Sequence, residues 1–155
     1  MIKNNADKIA DSLIFPIMHN VNHAIELHLK AIEFSLNIQL GNGLIFTGNH
    51  DILQLLDTVL ARITELSSKK ESNAFKGLTQ VLRDYINEVY DKVDNAAKNK
   101  KLEFSRYPIT SNKRDMHFYI KATENVEIDL ENYILIIKEI RQTLGQMLDQ
   151  FLYDG

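Results

Sequence analysis

The fold is decided by residues 16–38, which read PIMHNVNHAIELHLKAIEFSLNI. Apolar residues recur there at the spacing of an amphipathic helix and must face a core; they are Ile17, Val21, Ala24, Ile25, Ile32 and Leu36. A polar stripe follows the same helix at spacings of three and four; it comprises His19, His23, Glu26, Lys30, Glu33 and Asn37. Because such a stripe is usually solvated, we predict a central helix with one buried and one solvent-facing side.

Four further helices are predicted around this one. Residues 3–14 form a short first helix that ends before Pro16, because proline fits the first turn of the helix that follows. The turn residues of Gly41-Asn42-Gly43 indicate a helix stop, followed by a loop to about residue 50. Periodic apolar residues then predict helices over 51–66, 74–97 and 130–152, the last of them capped by Asp129.

The hydrophobic period changes before the final helix. Met116, Phe118 and Ile120 alternate with polar neighbours, as do Val126 and Ile128, so the sequence predicts a small β-hairpin there. No repeat or linker divides the chain, and residues 1–155 are interpreted as one domain. The predicted fold class is all-α, an antiparallel bundle of about five helices with a small β-hairpin before the last helix.

Composition excludes several classes of function. The 155 residues contain no cysteine, which excludes disulfides, thiolate metal sites and a cysteine nucleophile, and which is typical of a reducing compartment. The sequence begins without a signal-peptide pattern and has no run of about 18 apolar residues, so a cytoplasmic protein without a membrane segment is predicted. A net charge of -3 requires any RNA binding to depend on a local basic patch. No glycine-rich phosphate loop occurs, and no cofactor is expected.

Three short segments resemble one protein family. Residues 24–31, AIELHLKA, resemble the Ala-x-Glu-x-x-x-Lys-Ala core of the second helix of HEPN (higher eukaryotes and prokaryotes nucleotide-binding) domains. Residues 49–56, NHDILQLL, resemble the His-Asp-Leu segment that opens the third helix of that family. Arg106-Tyr107-Pro108 is similar to an Arg-Tyr-Pro element before its last helix. The three segments occur in the family's order and span most of the chain.

The resemblance implies a homodimeric helical module that binds RNA or nucleotide, often in toxin-antitoxin or phage-defence systems. The predicted ligand-binding residues are then Glu26, Lys30, His50, Arg106 and Tyr107. Such a setting also implies an antitoxin or a nucleotidyltransferase as partner protein. If Glu26 and Lys30 are exposed, they are explained as a helical ion pair; if they are buried, they need partners such as His50 or Arg106.

Catalytic members of the family cut RNA with an Arg and a His that have four to six residues between them; the pair provides a cation for the phosphate and a group that moves a proton. Counting back from His117, residues 110–112 contain no arginine where the motif requires one. We therefore predict a degenerate catalytic motif. The alternative is a metal-independent endoribonuclease toxin that uses Arg114 or Arg106 with His117, followed by Tyr119 as in the His-x-Tyr end of some family members.

Two alternatives belong to other classes. His19 and His23, four residues apart, with Glu26 three residues later, could surround a divalent metal and give a metal-binding helical-bundle enzyme. The other alternative is a purely structural dimerisation domain.

The densest mixture of basic and aromatic residues in the chain could hold phosphate and stack a base, or it could be an ordinary solubilising surface. It comprises Arg106, Tyr107, Lys113, Arg114, Tyr119 and Lys121.

Overall fold

A computed structural model describes residues 9–92 and 128–153. Within these ranges the chain forms helices and their connections, without a β-strand. The helices are α1 (Ile9–Gln39), α2 (Ile52–Leu66), α3 (Lys69–Leu78), α4 (Gln80–Lys92) and α5 (Leu130–Tyr153). The all-α prediction is confirmed for the described residues. The predicted β-hairpin lies outside them, apart from Ile128.

Helix α1 is continuous where the sequence predicts two helices. The prediction that residues 3–14 form a separate helix ending before Pro16 is wrong, because α1 passes through Pro16 and continues to Gln39. Proline removes one helical hydrogen bond and crowds the preceding turn, which normally breaks a helix. Here Ile14 and Met18, on either side of the proline, are both buried, whereas Pro16 is exposed. Burial of these neighbours favours continuation of the helix over the local penalty.

Helix α2 agrees closely with its prediction. Asp51 is the N-cap, and its side chain accepts hydrogen bonds from the backbone N–H groups of Leu53 and Gln54. The apolar period of the sequence predicts one buried face, made of Ile52, Leu55, Leu56, Val59, Ile63 and Leu66. The first five of these are buried, and Leu60 is buried with them. Leu66 was expected on that face but is exposed, because it is the last residue of the helix.

The helix predicted over 74–97 is divided into α3 and α4. Helix α3 begins at Lys69 because Ser68 and Glu71 form a capping box, in which each side chain satisfies the other's backbone N–H. Thr79 then interrupts the helix, and its hydroxyl donates to the carbonyl of Phe75 at 3.0 Å. The run Ser67-Ser68-Lys69-Lys70 is predicted to close the preceding helix, whereas its two lysines form the first turn of α3.

Helix α5 begins where the sequence predicts it. Asp129 accepts a hydrogen bond from the backbone N–H of Asn132 at 3.0 Å, which confirms the predicted cap. The residues that α5 buries are Ile140, Leu144, Met147 and Phe151. The apolar repeat of the last helix predicts that Ile134 is buried too, but it is exposed, so the first turns of α5 contribute less to the described core than the repeat predicts.

Helix α1 is the central element, as predicted, since it packs against both α2 and α5. Leu29, Ile32 and Leu36 are completely enclosed. Ile17 and Ala24 were expected on this buried side, but both are exposed because the packed sector of α1 is narrower than the apolar pattern.

The helices do not form a purely antiparallel bundle. Near the ends of α1 and α5, Gln39 Nε2 donates to the carbonyl of Phe151 at 2.6 Å. Near the middle of α1, Asn22 accepts a hydrogen bond from Tyr85 of α4 at 2.9 Å. The centre of the Tyr85 ring lies 6.1 Å from that of Tyr133, near the start of α5. Helices α1 and α5 therefore run in the same direction. A short connection makes two consecutive helices run antiparallel. The connection between α1 and α2 is longer, and it runs back along α1 before α2 begins.

Candidate functional site

The segment between α1 and α2 turns sharply and runs back along α1. Gly41 and Gly43 adopt φ values of +75° and +86°, a region that favours glycine. The backbone N–H of Gly41 donates to the carbonyl of Ile38 at 3.0 Å, and that of Asn42 donates to the carbonyl of Asn37 at 2.8 Å. These bonds satisfy carbonyls at the end of α1, so the predicted helix stop is confirmed.

Buried side chains of α1 anchor the returning segment, which we call the return loop (residues 40–51). Asn37 Nδ2 donates to the carbonyl of Ile45 at 3.0 Å. Glu33 accepts twice from Thr47, at 2.9 Å from the backbone N–H and at 2.7 Å from Oγ1. Asn37 and Glu33 are both buried. The loop thus supplies the hydrogen bonds that the Glu33 and Asn37 side chains would otherwise make to water.

A third anchor lies at the end of the loop and forms the candidate site. Glu26 Oε1 accepts a hydrogen bond from Lys30 Nζ at 2.8 Å, and His50 Nδ1 lies 2.8 Å from the same oxygen. The Glu26 side chain is 8% exposed and that of Lys30 is 15% exposed, whereas the His50 side chain is 51% exposed. The cluster therefore has a buried carboxylate at its base and an accessible imidazole at its rim.

The charges of this cluster determine the state of Glu26. Burial alone raises the pKa of the Glu26 carboxyl, but hydrogen bonds and positive charge from Lys30 and His50 outweigh this effect. The pKa consequently lies below the usual glutamate value, and Glu26 is ionised at neutral pH. Lys30 Nζ also lies 6.0 Å from the centre of the Phe46 ring, within cation–π range.

The polar stripe of α1 is therefore not the solvated face that the sequence predicts. Glu26, Glu33 and Asn37 are buried, because the return loop covers them. Only part of the stripe, including His23, remains exposed. Sequence reasoning missed Thr47 as a partner of Glu33, since Thr47-Gly48-Asn49 was read only as a turn. An acidic and amide stripe facing a polar loop was the signal that could have suggested this pairing.

A second polar contact lies on the same side of α1. Asn22 is buried one turn before Glu26 and accepts the hydrogen bond from Tyr85. Burial raises the pKa of the Tyr85 hydroxyl far above its ordinary value, and burial also raises the pKa of Tyr133. Burial therefore favours the protonated form of both phenols, and the Tyr85 hydroxyl acts as a hydrogen-bond donor to Asn22 rather than as a base.

The structure brings together three of the five residues predicted to bind ligand, namely Glu26, Lys30 and His50. The other two, Arg106 and Tyr107, lie outside the described residues. The catalytic candidates of the ribonuclease hypothesis also lie outside them; they are Arg106, Arg114, His117 and Tyr119. Their roles stay predictions.

The proposed metal ligands do not converge. The rings of His19 and His23 lie parallel with their centres 6.2 Å apart, and Glu26 is engaged by Lys30 and His50. Across residues 9–92 and 128–153, no group of three histidine or acidic side chains is arranged to hold a metal ion. The described geometry gives no support to the metal-enzyme alternative.

The candidate site offers donors rather than a complete catalytic set. Lys30 supplies an ammonium, and His50 supplies an imidazole whose Nδ1 faces Glu26; the other ring nitrogen, Nε2, can donate to an anion at the rim when the imidazole is protonated. The carboxylate of Glu26 orients both groups but is itself enclosed. Such an arrangement can recognise a phosphate or another acceptor group.

Comparison with protein-family models, with curated proteins and with solved structures finds no significant match for this chain. In the part of the chain that the structure describes, no helix combines the length and apolar character needed to cross a membrane.

Proposed function

We propose that this chain is a HEPN-like homodimeric module that binds RNA or nucleotide, with a degenerate catalytic motif, in a bacterial stress or phage-defence setting. The observation that carries the proposal is the Glu26, Lys30 and His50 cluster. These residues belong to two segments that resemble the family, and they meet although Glu26 and His50 are 24 positions apart in sequence. A basic group at the rim of a buried network suits an anionic ligand.

An apolar strip on α1 supports the homodimeric part of the proposal. Leu13, Ile17, Leu27 and Ile38 are exposed, at positions that fall on one side of the helix. Exposed apolar residues that share one side of an element mark an interaction surface more often than residues scattered over several sides do. A second copy of the chain would cover this strip.

The proposal is tested by measuring RNA affinity for the wild type and two histidine variants. We expect a fluorescein-labelled single-stranded RNA of mixed sequence to bind the wild type at low salt, with ATP as competitor reporting nucleotide binding. His50→Gln should weaken RNA binding by roughly fivefold to tenfold, the effect of losing one hydrogen-bonding contact. Fluorescence anisotropy of the labelled RNA measures the RNA affinity of each protein directly and the ATP affinity by competition.

The control is His28→Gln, since His28 lies outside the cluster and bonds the carbonyl of Ala24 in its own helix, at 2.8 Å. It should bind RNA like the wild type. Absence of both RNA and ATP binding by the wild type would overturn the proposed function. Equal affinities in the wild type and in His50→Gln would remove the cluster as the binding site.

A further inference from the structure

Phe46 is an exposed aromatic residue on a firmly held backbone. The residue is 54% exposed, between Ile45 at 53% and Thr47. The carbonyl of Ile45 is bonded by Asn37, and both the N–H and the hydroxyl of Thr47 are bonded to Glu33. The backbone is therefore anchored on each side of Phe46 to the buried face of α1. A preorganised ring loses little conformational entropy when a ligand covers it.

The surroundings of the ring favour a nucleic-acid ligand over a purely apolar one. Lys30 Nζ lies 6.0 Å from the ring centre and 2.8 Å from the Glu26 carboxylate. The same carboxylate bonds the half-exposed His50. An aromatic face beside an ammonium and an imidazole can pair base stacking with phosphate contact, the combination by which proteins bind single strands.

We propose that Phe46 is a stacking platform for an unpaired nucleobase, so that the proposed site takes single-stranded RNA rather than duplex RNA. The inference rests on the proposed function and names its ligand class. In a duplex each base face is covered by its neighbours, and the ring could not reach one without unstacking it. In a single strand, a base can lie on Phe46 while an adjacent phosphate contacts His50.

The competing use of this surface is docking of an apolar protein partner. Leu44 is 75% exposed and lies two residues before Phe46 on the same loop. A partner that binds through apolar area alone would depend on Leu44 at least as strongly as on Phe46. Stacking depends on the aromatic ring and not on Leu44, so the two residues separate the alternatives.

The experiment uses the absence of tryptophan from the chain. Phe46→Trp introduces a single tryptophan at the proposed platform, and its emission is followed while single-stranded RNA, or the same strand annealed to its complement, is added. We expect strong quenching by the single strand and little by the duplex. Phe46→Leu should weaken single-strand binding about tenfold by anisotropy, whereas Leu44→Ala should leave it unchanged.

The outcomes separate this inference from the proposed function. If the wild type binds RNA but Phe46→Trp is not quenched and Phe46→Leu binds normally, the stacking inference fails and the proposed function stands. If the wild type binds no RNA or nucleotide, the proposed function fails. If Leu44→Ala and Phe46→Leu both change self-association in light scattering without altering RNA affinity, the surface docks protein and the inference is overturned.

Discussion

Replacing Leu29 with alanine is expected to lower the free energy of unfolding by about 2–5 kcal/mol, because a fully enclosed leucine leaves a cavity when it is truncated. Leu29 is 0% exposed on the central helix. The matched control is Leu27→Ala, two residues earlier on the same helix, where the side chain is 52% exposed. At a protein concentration low enough for the chain to be monomeric, so that no second copy covers the strip that contains Leu27, Leu27→Ala should cost less than about 1 kcal/mol. Urea unfolding followed by circular dichroism measures both changes.

This pair of variants tests whether α1 is central with the orientation described. The chemical change and the local helix propensity are the same at both positions, so the difference reports burial. Equal destabilisation by the two substitutions would mean that α1 is either buried on all sides or lies at the surface. A larger loss at Leu27 would require rotation of the helix.

Replacing Lys30 with methionine is the second large effect expected. The substitution keeps most of the side-chain length but removes the charge that balances Glu26, whose side chain is 8% exposed. Removing one partner of a buried ion pair leaves an uncompensated charge, and we expect a loss of about 2 kcal/mol because His50 remains as a partner. Adding Glu26→Leu to Lys30→Met should restore stability, since the stranded charge is then removed.

The effect of Lys30→Met should depend on pH. The pKa of Glu26 is lowered in the folded protein, so its contribution to stability is present above the ordinary glutamate pKa and is lost as pH falls through the lowered value. The difference between the wild type and Lys30→Met should therefore be largest near neutral pH and should shrink in acid. A difference that stayed constant down to acidic pH, or a fully stable Lys30→Met, would contradict a role for the pair.

Sequence patterns predicted the helices best where local signals and burial agree. Asp51 and Asp129 both cap helices at the predicted positions, and the apolar period of α2 matches its buried face. Two of the boundary predictions are wrong for different reasons. Packing around Pro16 overrides the local preference of proline, whereas the start of α3 depends on the Ser68 and Glu71 capping box, a local signal that was overlooked.

The sequence named three residues of the candidate site, but it did not indicate that the return loop covers the polar stripe of α1 around them. Glu26, Lys30 and His50 were grouped from short segments, and they lie within hydrogen-bonding distance. Burial of Glu33 and Asn37 could not be read from helical periodicity, because periodicity describes a helix alone and not the loop that covers it. The loop covers these residues because the chain reverses after Gly41. A glycine-rich turn indicates where a helix ends, but it does not indicate the path that the chain takes next.

Hydrogen bonds hold the return loop against the buried polar side of α1. Amide hydrogen exchange at Thr47 tests this arrangement, because the N–H of Thr47 lies outside any helix and donates to Glu33 Oε2 at 2.9 Å. If the loop is held in this way, this amide should exchange at least about a hundredfold more slowly than in an unstructured peptide, because exchange requires the loop to open. Exchange at the unstructured rate would show that the loop is not held against α1, and the candidate site would lose its basis.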